Sequence, residues 1–263
     1  MLTGIKSLSV VKVPERVLLS FPNNYMKFDI LSIFPGLFEN FQKEALVSRA
    51  QDKKLISIHT HNMRDYAEAG DAHKTVDGRP YGGGAGMVMM ASPIAKALAK
   101  IQKPKSKSSI GNHKSKIIVF SAKGKVFDQA SARRYAKLDQ LIMICGRYEG
   151  IDERVAQYIA DEEISIGEYV LFGGEVPAMV VMEAVTRLVP GAVGKQASIK
   201  DESFKHLGGI EKEMMEKYIE YPHYTRPETI EIKGKKRSVP SVLLSGNHKK
   251  IDEWRHKHSN VKK

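Results

Sequence analysis

Cysteine is nearly absent from this chain of 263 residues. Cys145 alone cannot close an internal disulfide, and no Cys-x-x-Cys pair exists to hold zinc. No apolar run approaches the roughly 18 residues a membrane span needs, so no membrane association is expected. Lys12, Pro14, Glu15 and Arg16 interrupt the N-terminal stretch where a secretion signal would keep an unbroken apolar region. Familiar nucleotide cradles are missing as well. A Gly-x-Gly-x-x-Gly pattern fails because Met87 stands at its third position after Gly82 and Gly84. The stretch "GAVGKQ" has too few residues between its glycines for a P-loop, and Gln196 follows its Lys195 where a Ser or Thr would bind magnesium. There is no Gly-x-Ser-x-Gly nucleophile elbow. His59 and His61 alternate on one expected strand without further ligands nearby, so no metal site is expected. Cys145 ends an apolar strand and reads as a small core residue. A cytoplasmic, globular chain remains, with 42% hydrophobic and 27% charged residues.

The charge that is present is unevenly placed. Of the net +12, the interval Lys103–Lys125 carries +7 and the interval Lys233–Lys263 carries +8, which leaves −3 for everything else. Two basic clusters on a near-neutral body point to a polyanion such as RNA, because neutralising phosphates releases counterions. A solvated loop and a charged tail would give the same count. Neither cluster has the apolar face of a membrane-surface helix.

Strand and helix patterns alternate along the chain. "MKFDILSIF" reads as a strand stopped by Pro35, and "LFENFQKEALVSRAQ" is helical at period 3.6. "LISIHTHN" alternates like a half-buried strand. The helix "SPIAKALAKI" is expected to be capped by Ser92, with Pro93 at its first position. "KIIVFSA" and "LIMIC" read as strands, and "DQASARRYAKL", capped by Asp128, and "IDERVAQYIA" as helices. In "ISIGEYVLFGGEVPAMVVMEAV", Ile164, Ile166, Tyr169, Val170, Leu171 and Phe172 suggest a buried strand, interrupted by Gly167, closed by Gly173 and Gly174, and followed by a helix from Val176. Such alternation predicts an α/β fold with a mostly parallel sheet and helices on both faces. Beyond Arg187 the periodicity fades into a loop or linker. A smaller, basic, mainly helical segment is expected from about Gly209.

Three glycine-bearing loops stand at strand ends: "DGRPYGGGAGM", "CGRYEGIDER" and "SIGEYVLFGGE". Each alone is a turn. Together they suggest one crevice, since ligands of open α/β sheets bind outside the carboxyl ends of the strands. Glycine inside a strand also marks close approach of another backbone or a ligand.

Taken in order, "DAHKTVDGRPYGGGAGMVM", "CGRYEGIDERV", "SIGEYVLFGGEVPAM", "RLVPGAVGKQAS" and "YPHYTRPE" resemble the bacterial tRNA (guanine-N1)-methyltransferases, over about Met26 to His258. The resemblance implies methyl transfer from S-adenosylmethionine to N1 of the guanosine immediately 3′ of the anticodon of tRNA. It further implies a homodimer and a deep trefoil knot in the sheet region, which composition and periodicity do not. Donor contacts carry over to Gly146, Tyr148 and the backbone of Ile166, Gly167, Glu168, Tyr169, Val170 and Leu171, with Gly173 and Gly174 in the same loops. Phe120, Ser121, Gly86 and Glu149 match further pocket positions. Magnesium dependence is not legible in these residues.

Guanine N1 carries a proton at neutral pH, so this chemistry needs a base there and a partner for the charge that builds on O6. Arg187 matches the family's arginine and is the candidate for O6. The family's base is an aspartate directly before Ser-Phe, whereas this chain reads Asp201, Glu202, Ser203, Phe204. Counted from Arg187, Glu202 takes the aligned place and Asp201 precedes it by one. Two rivals stand beside this reading. A related methyltransferase acting on a ribose 2′-hydroxyl would need no such carboxylate. A non-catalytic RNA-binding protein would have no use for three pocket loops.

The expected organisation is a dispensable extension (1–25), a knotted donor-binding domain (26–190), a flexible linker with the base (191–208) and a small basic tRNA-binding domain (209–263). The segment before "PHYTRP" is longer than in the family, and the chain ends soon after "EWRHKHS". An abbreviated tRNA-holding region is therefore expected.

Overall fold

The computed structural model describes residues 25–102, 114–194, 202–204 and 218–261. Most of the expected N-terminal extension, much of the Lys103–Lys125 cluster and most of the expected linker, including Asp201, lie outside these residues.

Five strands form one parallel sheet. They are β1 (Met26–Ser32), β2 (Ile56–Asn62), β5 (Ser115–Val126), β6 (Gln140–Ile144) and β7 (Glu162–Ser165), in the order β2-β1-β6-β5-β7. A short antiparallel pair, β3 (Asp77–Gly78) and β4 (Val88–Met89), stands apart from the sheet. Both faces of the sheet are covered, as parallel strands require. On one face Phe28, Ile30, Ile118, Leu141 and Met143 pack against α2 (Ala45–Asp52), α4 (Gln129–Tyr135) and α6 (Glu175–Thr186). On the other, Leu31, Ile117, Val119, Ile142 and Ile144 pack against α3 (Ala91–Ile101) and α5 (Glu153–Tyr158). No helix among the described residues is long and apolar enough to cross a membrane.

Several local expectations change. Helix α3 starts one residue before Ser92, with Met90 at its cap and no side-chain cap bond. The Ser92 hydroxyl instead donates to Glu68 Oε1 at 2.9 Å, a carboxylate that also holds Lys96 Nζ at 2.7 Å. Pro93 still falls within the first turn, where its missing N–H costs nothing. The stretch read as one helix after Pro35 divides at Glu44 (φ −73°, ψ 132°) into α1 (Glu39–Lys43) and α2, after a 3₁₀ turn over Pro35–Phe38. Asp128 does cap α4, accepting from the Ser131 amide at 2.7 Å.

The buried strand expected through Phe172 ends at Ser165, and Tyr169, Val170, Leu171 and Phe172 form an exposed loop. Apolar content there does not report core packing. Helix α6 runs apolar almost all round, yet Val176 and Val180 on its outer side are exposed. A helix of that kind is ordinarily covered on every side.

Beyond Tyr218 the described chain is mixed, not mainly helical. It has β8 (Tyr218–Ile219) paired with β11 (Asn260–Val261), a hairpin of β9 (Thr229–Ile232) and β10 (Lys235–Ser238), and the helices α7 (Ser241–Leu244) and α8 (His248–His258). The hairpin turns at Lys233 and Gly234, both at positive φ, which suits the right-handed twist of paired strands. Asn247 caps α8, and Trp254 stacks on His258 with ring centres 4.0 Å apart.

Candidate active site

The carboxyl ends of β5, β6 and β7 and the loops that follow them enclose a cavity of about 470 Å³. Its walls crowd because backbones cross there. The amide of Gly174 donates to the Gly146 carbonyl at 2.9 Å, and Arg147 bridges Gly173 in antiparallel fashion. A Cβ on Gly174 would stand 2.7 Å from Cα of Cys145. Gly124 is equally confined, since its Cβ would meet the Ile164 backbone nitrogen at 2.6 Å. This crossing follows from the pairing of β5 with β7, in which Phe120 and then Lys125 both stand opposite Ile164 while residues 121–124 loop out between them.

One buried carboxylate ties the crossing together. Glu175, fully buried at the start of α6, accepts from Ser32 Oγ at 2.7 Å and from Arg147 Nε at 2.9 Å. The Arg147 guanidinium in turn lies over the Phe34 ring, 4.8 Å from its centre. A buried charge persists only when so paired. Burial, with the Glu175 charge nearby, pushes the Cys145 thiol up, so Cys145 is an inert core residue.

The cavity rim is acidic. Glu149, Asp152, Glu153 and Glu163 line it against Lys123 and Arg147. The hydrogen bond from Arg154 holds the Asp152 carboxyl below its ordinary range, and that from Lys123 does the same for Glu153. Such a volume, with Phe120, Leu171 and Pro177 as apolar walls and backbone polar groups between them, fits a drug-sized ligand. The anionic rim favours a cationic one.

A second constellation stands at the other end of α6. Arg187, at the helix C-cap, makes an ion pair with Glu202, both side chains being partly exposed. The short segment that carries Glu202 is anchored. Arg133 of α4 donates to the Phe204 carbonyl, the Phe204 amide to the Tyr218 carbonyl at 2.7 Å, and the Glu220 amide to Ser203 Oγ at 3.1 Å. At about 1.5 Å per residue, the length of α6 puts Arg187 about 20 Å from Gly174 along the helix axis.

The whole run from the first strand onward matches a known family: the model for tRNA (Guanine-1)-methyltransferase TrmD covers residues 26–263. The chain belongs to this family. A tRNA (guanine-N(1)-)-methyltransferase of Carboxydothermus hydrogenoformans is 47% identical over 234 residues, which is 89% of this chain and 83% of the relative. One of Ruminiclostridium cellulolyticum is 46% identical over 230 residues (88% and 89%), and one of Clostridioides difficile 43% over 234 (89% and 92%).

Of the positions that the methyltransferase resemblance assigns to the donor, Phe120, Ser121, Gly146, Tyr148, Glu149, Ile166, Gly167, Tyr169, Val170, Leu171, Gly173 and Gly174 all line the one cavity. Two do not. Gly86 is exposed and touches the cavity only through Glu149, whose side chain a Cβ there would meet, and Glu168 is exposed without lining it. Sequence reasoning missed Glu175, Arg147 and Gly124. Glu175 reads as a surface acid at a helix start, and only the buried Ser32 and Arg147 contacts reveal its place. His59 and His61 face Ser57 and Asp29 respectively, and no group of three metal-capable side chains occurs among the described residues.

Proposed function

We propose that the protein transfers a methyl group from S-adenosylmethionine to N1 of the guanosine immediately 3′ of the anticodon in cytoplasmic tRNA, which maintains the reading frame. The Arg187–Glu202 pair is the observation that carries this reading. N1–H and O6 are neighbours on one edge of guanine, and a carboxylate beside a guanidinium offers an acceptor and a donor side by side. Bound S-adenosylmethionine supplies an electrophilic methyl group on a cationic sulfonium, which suits the acidic rim. Glu202 takes the N1 proton as N1 attacks that methyl, the sulfur–methyl bond breaks, and Arg187 stabilises the charge on O6. Family membership and the donor-sized cavity support the same assignment. Glu202 is the base in this reading, because among the described residues, which do not include Asp201, it is the carboxylate that meets Arg187.

The working unit in this reading is a homodimer. Pro177, the cavity-lining residue nearest the pair along α6, is still about 15 Å from Arg187 along the helix axis, too far for one transfer within one chain. The exposed Phe34, Leu37, Phe172, Val176 and Val180 offer apolar surface around α6 for a second copy. A two-fold arrangement with the α6 helices antiparallel would bring Arg187 of one copy to the cavity of the other. The same reading takes the crossings at Gly124 and Gly174 as parts of a deep trefoil knot. It assigns 26–190 to donor binding, 191–208 to a linker that presents the base, and 209–263 to tRNA.

Incubating the protein with S-adenosylmethionine and unmodified tRNA should yield 1-methylguanosine on nucleoside analysis. A product at a ribose 2′-hydroxyl, or no transfer, would overturn the reading. Glu202→Gln should slow the single-turnover step roughly 10²-fold. Co-expressed Arg187→Ala and Gly146→Val chains should regain activity in mixed dimers, whereas Arg187→Ala with Glu202→Gln should stay inactive.

A further inference from the structure

The β9–β10 hairpin pairs with no other strand among the described residues, and every residue from Thr229 to Ile232 and from Lys235 to Ser238 is exposed. Its register sorts the side chains. Ile232 stands opposite Lys235 and Ile230 opposite Arg237, so these four share one face; Glu231 opposite Lys236 and Thr229 opposite Ser238 share the other. On the second face the Thr229 and Ser238 hydroxyls bond at 2.8 Å. The first face has two isoleucines, 44% and 47% exposed, and two exposed cations, each standing opposite an isoleucine and not a carboxylate. Lys233 in the turn adds a third cation at its tip.

An isolated two-stranded ribbon is marginal in water, and exposed isoleucines between cations gain nothing there. Both are accounted for if the face is covered by a polyanion that also offers apolar surface. We propose that the Ile230, Ile232, Lys235 and Arg237 face docks on a helical arm of the tRNA substrate. The wide, shallow minor groove of an RNA helix exposes ribose rings for the isoleucines, with phosphates on either side for Lys235 and Arg237. A protein partner would need acids facing these cations, and a second copy of this face would set cation against cation. The inference rests on the tRNA reading above and adds the surface that holds the helix outside the reacting nucleotide.

The test measures tRNA binding by the full chain as salt is varied, together with S-adenosylmethionine binding and 1-methylguanosine formation. Lys235→Ala with Arg237→Ala should weaken tRNA binding about tenfold and lower the log–log salt slope by roughly 2, at nearly one per phosphate contact. Ile230→Thr with Ile232→Thr, which keeps strand-favouring β-branches, should weaken binding roughly threefold to tenfold with the slope unchanged. Donor affinity and the rate at saturating tRNA should not move in either variant. If both variants bind tRNA like the parent, or if the isoleucine variant changes only the oligomeric state in sedimentation, the face does not serve RNA and the proposal fails. A parent chain that binds tRNA through this face yet makes no 1-methylguanosine would overturn the catalytic reading and leave this one standing.

Discussion

Between Met26 and Ala192 the chain buries two apolar clusters on the two faces of one sheet, whereas from Tyr218 to Ser259 no described side chain is fully buried. The first region is held by interdigitated aliphatic side chains and by backbones in direct contact. The second is held by helix caps, two short ladders and ring contacts such as Tyr224 against Trp254 and Arg255 over Tyr221. A cavity that must hold a small molecule in one geometry needs walls that do not yield. A surface that grips a long polyanion gains from side chains left free to adjust. The difference in burial thus follows a difference in the ligands proposed for each region.

Gly174 is where this contrast should break most sharply. Gly174→Val places carbon on the Cys145 backbone, which cannot move aside as a side chain can. We expect loss of the cooperative thermal transition of the sheet region and of all donor binding in calorimetry. Gly146→Ala is the milder companion, because its Cβ meets only the Ile151 side chain, at 2.9 Å. That variant should fold and bind the donor weakly. Equal behaviour of the two would show that the crossing is looser than its geometry.

Next comes Glu175. Its removal in Glu175→Ala leaves the Arg147 charge and the Ser32 hydroxyl without their buried partner, a loss of about 3–5 kcal/mol in urea unfolding. No substitution of an acid between Tyr218 and Ser259, Glu231→Ala for example, should cost more than about 0.5 kcal/mol.

How far this could be read from residues depends on the range of the contacts involved. The alternation of strands and helices and the parallel sheet were legible, because periodicity reports burial on one face at a time. Two of the three glycine loops, those from Cys145 and from Ser165, were legible as one crevice, since strand ends in such a sheet converge; the third misled, because no residue of Asp77–Met87 lines the cavity. Ser92 misled because Glu68, far away in sequence, outbids the local cap. Tyr169 to Phe172 misled because apolar residues left open look the same as apolar residues in a core. Gly124 and Glu175 were invisible, since their partners Ile164, Arg147 and Ser32 are brought to them only by the crossing. The hairpin was written in "TIEIKGKKRS", a period of two around Lys-Gly, and was obscured by the charge of the segment.

A smaller effect concerns acid. Burial alone would raise the Asp29 carboxyl, but hydrogen bonds from His61 Nε2 at 2.8 Å, Gln140 Nε2 at 2.6 Å and Lys27 hold it below its ordinary 3.8. A carboxyl depressed on folding contributes stability that is full above its unfolded value and is lost as pH falls through the folded one. Unfolding free energy of the sheet region should therefore decline as pH drops below about 4, and Asp29→Asn should flatten that decline. An unchanged pH profile in Asp29→Asn would remove Asp29 from the account. The least perturbing check needs no substitution at all. Amide exchange should be slow in β6, where opening requires global unfolding, and fast by local opening in α8. Equal protection of the two would contradict the contrast in burial.

Trp254 is the only tryptophan of the chain, and it lies in α8, stacked on His258. The single indole thus lies in one region, and the other has none. Excitation at the red edge of protein absorbance selects that indole, so its emission reports on the C-terminal region alone. Under the proposed assignment, the methyl donor entering its cavity should leave the signal unaltered, while an RNA helix settling on the C-terminal region should shift it. The two substrates of one reaction then become separately visible in unlabelled protein, and their order of arrival is a question for a stopped-flow trace.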